Sequence, residues 1–315
     1  MHARRVAVTG ASGFVGRAVA ARLRAVGTEV VGIDRAGADG VLAGDLRVEG
    51  AWQGAVAACD AVVHTAALVS QTASRRDAWV ANVVATRRVL DAVAPGKRVV
   101  HLSSAAIYSP HRPAQVDESF PVRPTGRSYG DTKIASEQVV LQAHAAGEVD
   151  AVILRPGDVY GTGSRPWTEV PIEALRAGRL VLPAHGRGLV DPVHIDDLVE
   201  CIVVALGVDS PASRVFNAAG GAPLEAAAFF GGYSTRLGLR PARRVSTRAA
   251  TLMAEALGRT QRLLGSPSEL GTGVVAMLAK TGSLSIERAE RELGWSPRVS
   301  LDAGMDAICA RRGSR

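Results

Sequence analysis

Short apolar runs alternate with amphipathic stretches of helical length through the first half of the chain. The runs are Val6-Ala7-Val8-Thr9, Glu29-Val30-Val31-Gly32-Ile33-Asp34, Val41-Leu42-Ala43, Ala61-Val62-Val63-His64, Arg98-Val99-Val100-His101-Leu102 and Ala151-Val152-Ile153-Leu154. Between them, Val15, Val19, Leu23 and Val26 share one helical face, and further helices are predicted near Ala73–Val93 and Tyr129–Ala146. Strands that are apolar from end to end and alternate with helices belong to a parallel sheet covered on both faces. The pattern therefore predicts an α/β fold, a doubly wound parallel sheet of the Rossmann kind.

Past residue 155 the rhythm loosens. Pro156, Gly157, Gly161, Gly163, Pro166 and Pro171 punctuate loops, and Leu180-Val181-Leu182 and Gly188-Leu189-Val190 read as short strands. A helix returns from His194 to Leu206, with Ile195, Leu198, Ile202, Val203 and Leu206 on one side, before a β-like Arg214-Val215-Phe216-Asn217. Residues 222–315 are mostly helical, with breaks at Gly238–Pro241 and near Gly265–Pro267. The expected division is a dinucleotide-binding domain of residues 1–164 and 190–219, with a smaller, mostly helical substrate-binding lobe of residues 165–189 and 220–315.

Composition narrows the function classes. At 315 residues, 47% hydrophobic and 21% charged, the chain is expected to be a globular protein with a large core. It enters its first strand at once and has no run long enough for a membrane span, so a cytoplasmic location is expected. Cys59, Cys201 and Cys309 stand singly, as structural thiols rather than metal ligands, so no metal is expected. The net charge of +7 is almost all arginine, the lysines being Lys97, Lys133 and Lys280 alone. Arginines are spread along the chain with acids interleaved and no basic arm, which argues against a nucleic-acid partner.

The candidate chemistry begins at Gly10, Gly13 and Gly16. A strand that turns on glycines into a helix presents unpaired N–H groups at the positive helix end, with no Cβ to keep a diphosphate away. Asp34 ends the second run 18 residues after Gly16, close to the spacing at which such an acid meets an adenosine ribose. Its ability to accept from both ribose hydroxyls favours NAD(H), while Arg35 beside it is the argument for NADP(H). Asp45, in Gly44-Asp45-Leu46, suits either an adenine amino group or a helix N-cap. His64-Thr65-Ala66-Ala67 ends its strand in residues small enough to lie against a cofactor, with His64 itself read as a core histidine. Ser103-Ser104 ends the fifth run. Tyr129 and Lys133, four apart, share a helical face. A neighbouring ammonium is expected to lower the phenol's pKa, and a Ser104 hydroxyl to hold a substrate oxygen beside it, which are the parts needed to move a proton on or off an alcohol.

On these residues the chain resembles the extended short-chain dehydrogenase/reductase superfamily, the NAD-dependent epimerase/dehydratase type. The matching pieces include Thr9 to Gly16, Gly44-Asp45-Leu46, His64 to Ala67, Leu102 to Tyr108, Tyr129 to Lys133, Leu154 to Gly161, Val193 to Leu198, and Leu293 to Pro297. The resemblance implies a catalytic trio of Ser104, Tyr129 and Lys133, with Lys133 also on the nicotinamide ribose. It implies a dinucleotide held by Gly10, Ser12, Gly13, Phe14, Val15, Gly16, Asp34, Arg35, Asp45, Leu46, Thr65, Ala66, Ala67, Tyr129, Lys133, Pro156 and Val159. Asn82 takes a structural position in that family, and a homodimer through the helices near Ala73–Val93 and Tyr129–Ala146 is implied.

Departures from the family pattern bear on substrate. Relatives acting on nucleotide sugars usually have asparagine where this chain has Asp158, and arginine where it has Val190. Sugar dehydratases carry an Asp-Glu pair where it has Ala105-Ala106. The pattern is closest to the 3β-hydroxysteroid dehydrogenase and ketone-reductase branch, with a nucleotide-sugar 4-epimerase as the alternative. Leu252, Met253, Leu257, Leu263, Leu264, Val274, Val275, Met277 and Leu278 are expected to make the pocket apolar, with Arg165 and Trp167 at its rim. The expected reaction is hydride transfer between a nicotinamide cofactor and a secondary alcohol or ketone on a largely apolar small molecule.

Overall fold

The computed structural model describes residues 3–70, 72–263 and 271–313. Its centre is a seven-stranded sheet. Five strands come from the first third of the chain: β1 (Arg5–Thr9), β2 (Glu29–Asp34), β3 (Val41–Ala43), β4 (Ala61–His64) and β5 (Arg98–Leu102). The strands Asp150–Pro156 and Val215–Ala218 complete it beyond β5, and every neighbouring pair is parallel. Strand order reverses at β1, between β2 and β4, where open α/β sheets collect ligands.

The apolar runs are apolar because both faces are covered. Val6 and Val8 of β1 face a core shared with α1 (Phe14–Ala25), while Ala7 between them faces another core behind the sheet. Val152 and Leu154 repeat this against Ala151 and Ile153. The second core is closed by α2 (Trp52–Ala57), by α3 (Arg75–Trp79) and α4 (Ala85–Ala92), and by α5 (Ser128–Ala145). The helix predicted near Ala73–Val93 is not uniform: Val80–Val84 winds as a π-helical turn between α3 and α4, and Ser74 caps its start by accepting from Asp77 N–H at 3.0 Å. Such wide turns are frequent at functional sites, and this one carries Asn82.

The remaining helices are α6 (Val170–Arg176), α7 (Ile195–Gly207), α8 (Ala226–Arg236), α9 (Thr247–Leu263), α10 (Thr272–Leu278) and α11 (Leu301–Gly313). Except for α7, which covers the sheet beside α1, and α9, which packs on α10, they surround a separate core of Trp167, Phe229, Phe230, Tyr233, Met305 and their neighbours. Trp167, expected at a pocket rim, is 6% exposed and stacked on Phe230, with ring centroids 6.2 Å apart. Leu278 is buried in the same core with Val274 and Met277 packed against it, Val275 is also buried, and Leu252, Met253 and Leu257 lie exposed on α9. Leu264 and the break near Gly265–Pro267 lie outside the described residues.

Short strand pairs tie the lobe to the sheet domain. Gln115–Val116 runs parallel to Ser283–Leu284, while within the lobe Leu189–Val190 runs antiparallel to Leu224–Glu225. Asp197 at the start of α7 accepts from Arg298 and Val299 N–H, and Trp295 Nε1 donates to its carbonyl.

Candidate active site

The turn from β1 into α1 is built for close backbone approach. Gly10 has φ +70°, and a Cβ there would stand 2.9 Å from Ala66. At Gly16 a Cβ would be 2.1 Å from the Gly10 carbonyl oxygen, so any side chain would force α1 away from the turn. Gly10 and Ala11 N–H donate to Ile33 O, and Gly13 N–H to Gly10 O, which fixes the loop. Beyond Gly13, α1 opens with no side-chain cap and no acid in its first turn. Its first N–H groups and positive dipole end therefore face the cleft uncompensated, as a pyrophosphate requires. Phe14 and Val15 are half-buried on the same turn, with Phe14 packed near Gly161 and Gly163.

Asp34 is already aimed. Its carboxylate accepts from Ser12 N–H at 3.0 Å and Arg35 N–H at 2.7 Å, and it is half-buried while Arg35 is exposed. Asp45 is gripped by the Arg47 guanidinium at 2.7–3.1 Å, and that bond, more than any other influence, lowers its pKa to about 2. It caps no helix, since α2 begins at Trp52 behind Ala51. Leu46 is buried in the core. Thr65 hydroxyl donates to Thr9 O at 2.7 Å, which presses Thr65, Ala66 and Ala67 against the Gly10 turn. Asn82 secures the residue beyond: its Oδ1 accepts from Leu68 N–H at 2.7 Å, and its Nδ2 donates to Leu68 O and to Thr132 Oγ1 of α5.

Ser104, Tyr129 and Lys133 come together between the end of β5 and the first turns of α5. Ser104 accepts from Ala106 N–H at 3.1 Å, and its hydroxyl is near enough to Tyr129 to favour the phenolate. Gly130 lets the helix touch this turn, since a Cβ there would be 2.9 Å from Ala106 O. Lys133 is 2% exposed and donates to Leu102 O at 2.6 Å; burial lowers its pKa to about 8, against an opposing pull from Glu137. The phenol departs from expectation. Burial pushes Tyr129 up from its usual value, the Ser104 hydroxyl alone acts in the other direction, and the ammonium is spent on a carbonyl rather than on the phenol. The phenol is thus held in its protonated form.

Beneath the trio lies a buried polar layer. His64 hydrogen-bonds Thr9 and Thr86, as expected of a core histidine, and stacks on His101 at 5.3 Å. Burial first, and the Lys133 charge second, keep both imidazoles neutral, His64 falling to about 3. Ser136 of α5 bonds His101 Nε2 at 3.1 Å, while His101 Nδ1 and the Ser103 hydroxyl find no partner among the described residues. One turn below Lys133, Glu137 takes Arg155 in a two-bond grip at 2.9 and 2.7 Å, and Arg155 donates on to Tyr108, which donates to Asn217. Pro156 and Val159 continue from Arg155 along the cleft, the Val159 carbonyl accepting from Ser164 at 2.7 Å.

A second charged group closes the lobe side. Asp158 is buried and paired: Lys280 Nζ lies 2.6 Å from it and 3.4 Å from Asp191, and Asp191 takes Arg112 at 2.6 Å. Val190, 1% exposed, belongs to the lobe core. Asp158 and Lys280 are 122 residues apart, a pairing no local motif announces.

The profile of the NAD dependent epimerase/dehydratase family matches residues 6–219. Over 325 aligned residues, 96% of this chain and 95% of the relative, the sequence is 32% identical to a 4-hydroxy-2-methyl-3-oxo-4-farnesyl-3,4-dihydroquinoline-1-oxide ketoreductase of Stigmatella aurantiaca. A 2-alkyl-3-oxoalkanoate reductase of Stenotrophomonas maltophilia is 29% identical, over 97% of this chain and 98% of its own. Among solved structures, MoeE5 in complex with UDP-glucuronic acid and NAD superposes with a TM-score of 0.77 at 27% identity, covering 98% of this chain and 99% of that one. With the glycine cradle, the fixed acid and the Ser-Tyr-Lys cluster in one cleft, the chain belongs to the NAD-dependent epimerase/dehydratase family and is a nicotinamide-dependent oxidoreductase of the extended short-chain dehydrogenase/reductase type.

Proposed function

We propose that the protein is an NAD(H)-dependent reductase of a ketone on a largely apolar small molecule, or the corresponding alcohol dehydrogenase. The observation that carries the substrate class is Asp158. At the position where nucleotide-sugar relatives offer an amide, this chain buries a carboxylate already taken by Lys280, and Val190 replaces the arginine that would meet a diphosphate. Ala105-Ala106 brings no additional acid and base for water elimination. Two relatives named for reduction of ketones with farnesyl or alkyl substituents support the same reading.

When bound, the nicotinamide supplies or accepts the hydride. Ser104 holds the substrate oxygen and Tyr129 delivers the proton to it, while Lys133 keeps a positive charge under that oxygen and reaches the nicotinamide ribose. Gly10, Ser12, Gly13, Phe14, Val15 and Gly16 hold the pyrophosphate, and Asp34 the adenosine ribose. A 2′-phosphate there would meet the fixed carboxylate, so NAD(H) is preferred to NADP(H). Asp45, Leu46, Thr65, Ala66, Ala67, Pro156 and Val159 line the remainder of the cofactor groove. The substrate lobe is assigned to residues 165–189 and 220–315. A homodimer through α3, α4 and α5 is part of the proposal, supported by Trp79, a large apolar side chain 49% exposed on α3.

The test is a turnover screen of hydrophobic ketones and secondary alcohols with both cofactors, beside UDP-glucose and UDP-galactose. Reduction of a hydrophobic ketone with NADH is the expected result. Ordinary enzymatic conversion of the UDP-sugars with no hydrophobic turnover would establish the epimerase instead.

A further inference from the structure

Arginines run along the whole chain, but their excess over acids does not: outside residues 236–263 the opposite charges nearly balance. Residues 236–263 contain seven arginines and one glutamate, which accounts for six of the chain's seven excess positive charges. Arg236 is neutralised by Asp302 and Asp306. Arg240, Arg243, Arg244, Arg248 and Arg259 are exposed, and only Arg259 has an acidic partner among the described residues, Glu255 at 3.8 Å.

The same stretch carries an apolar face without a covering. Leu252, Met253 and Leu257 are 68%, 46% and 42% exposed on α9. At 3.6 residues per turn they fall within an arc of about 140°, with Arg248 and Arg259 along one edge. Ala250, 6% exposed, lies on the side that meets the lobe. Single exposed leucines are ordinary, but an apolar arc bordered by arginines is the pattern of a helix lying in a membrane interface. A nucleic acid would use the arginines and leave the leucines in water. An anionic bilayer satisfies both, with guanidinium groups on lipid phosphates and the apolar arc below them.

We propose that α9, together with Arg243, Arg244 and Arg248, is a peripheral docking surface for an anionic bilayer. The proposal does not depend on what the substrate proves to be. It would set the substrate lobe at the phase in which apolar small molecules concentrate.

Cosedimentation of the intact protein with equimolar phosphatidylglycerol/phosphatidylcholine vesicles, compared with pure phosphatidylcholine vesicles, tests the proposal. Binding to the anionic vesicles alone is expected. Arg243→Ser/Arg244→Ser should weaken it by roughly 25-fold, about fivefold for each arginine. Leu252→Ser/Met253→Ser/Leu257→Ser should weaken it by at least about tenfold. NADH fluorescence titration checks that both variants remain folded, with affinity unchanged. The proposal is overturned if the protein ignores both vesicles, if either folded variant binds them like the parent, if duplex DNA is bound in place of vesicles, or if the serine substitutions instead dissociate a dimer seen by light scattering.

Discussion

Two buried charge clusters flank the cleft, and they hold different things. Glu137 and Arg155 stand 18 residues apart on adjoining elements of the sheet domain, and their two-bond contact fixes α5 to the sheet directly under Lys133. Asp158, Lys280, Asp191 and Arg112 are gathered across 79 to 122 residues and join the sheet domain to the lobe. Both clusters balance their charges, as burial demands, since removing one partner strands the other in a poor solvent. The first aligns the chemistry; the second aligns whatever selects the substrate. Disturbing one should therefore appear in kcat and the other in KM.

The largest effect isolates the chemistry from both clusters. Tyr129→Phe is expected to lower kcat by about 10²- to 10⁴-fold with NADH affinity nearly unchanged, and a near-normal kcat would remove Tyr129 as the acid/base group. The next experiment sets the clusters against each other. Lys280→Met strands Asp158 and leaves Asp191 to Arg112 alone, and Glu137→Gln strands Arg155; each should cost about 3–5 kcal/mol of stability by denaturant unfolding. In the folded fraction, Lys280→Met should raise KM and spare NADH binding, while Glu137→Gln should depress kcat and weaken NADH. Identical kinetic signatures would abolish the distinction.

The histidines beneath Lys133 extend the comparison to pH. His64 has a folded pKa near 3 against an ordinary 6.5, so the unfolded chain binds more protons between those values. Stability is then complete above pH 6.5 and declines as pH falls towards 3. A melting temperature that dropped between pH 6.5 and 5 would agree, and one that stayed flat there would not. The smallest effect concerns the cofactor: Asp34→Asn should relax the NADH preference by about tenfold, measured as the ratio of kcat/KM with the two cofactors.

The legible parts of the sequence are those whose partners are close along the chain. The β1 turn, Asp34, and the Tyr129 and Lys133 pair follow from period and spacing, and the parallel sheet from runs with no polar face. Asp45 was open between two readings because its actual partner, Arg47, is an exposed side chain that no periodicity distinguishes from its neighbours. The expected phenol shift failed because spacing places Lys133 on the right face but does not reveal that Leu102 O takes its proton donor. Trp167 looked like a loop residue until the lobe supplied Phe229 and Phe230 around it. The partner of Asp158 is not legible in sequence because that counter-ion, Lys280, comes from 122 residues further along the chain.

That late counter-ion has a consequence for synthesis. Lys280 leaves the ribosome 122 residues after Asp158, an interval of roughly 6 to 24 seconds at 5–20 residues per second. Through that interval the nascent sheet carries Asp158 and Asp191 with Arg112 as their only local cation, and the Gln115–Val116 strand waits for Ser283–Leu284. The sheet domain must be self-supporting before its joint exists. A ribosome stalled before residue 280 should accordingly display a chain with its nucleotide cradle formed and its lobe unattached, so capture on an immobilised dinucleotide would precede protection of the 108–120 loop from protease.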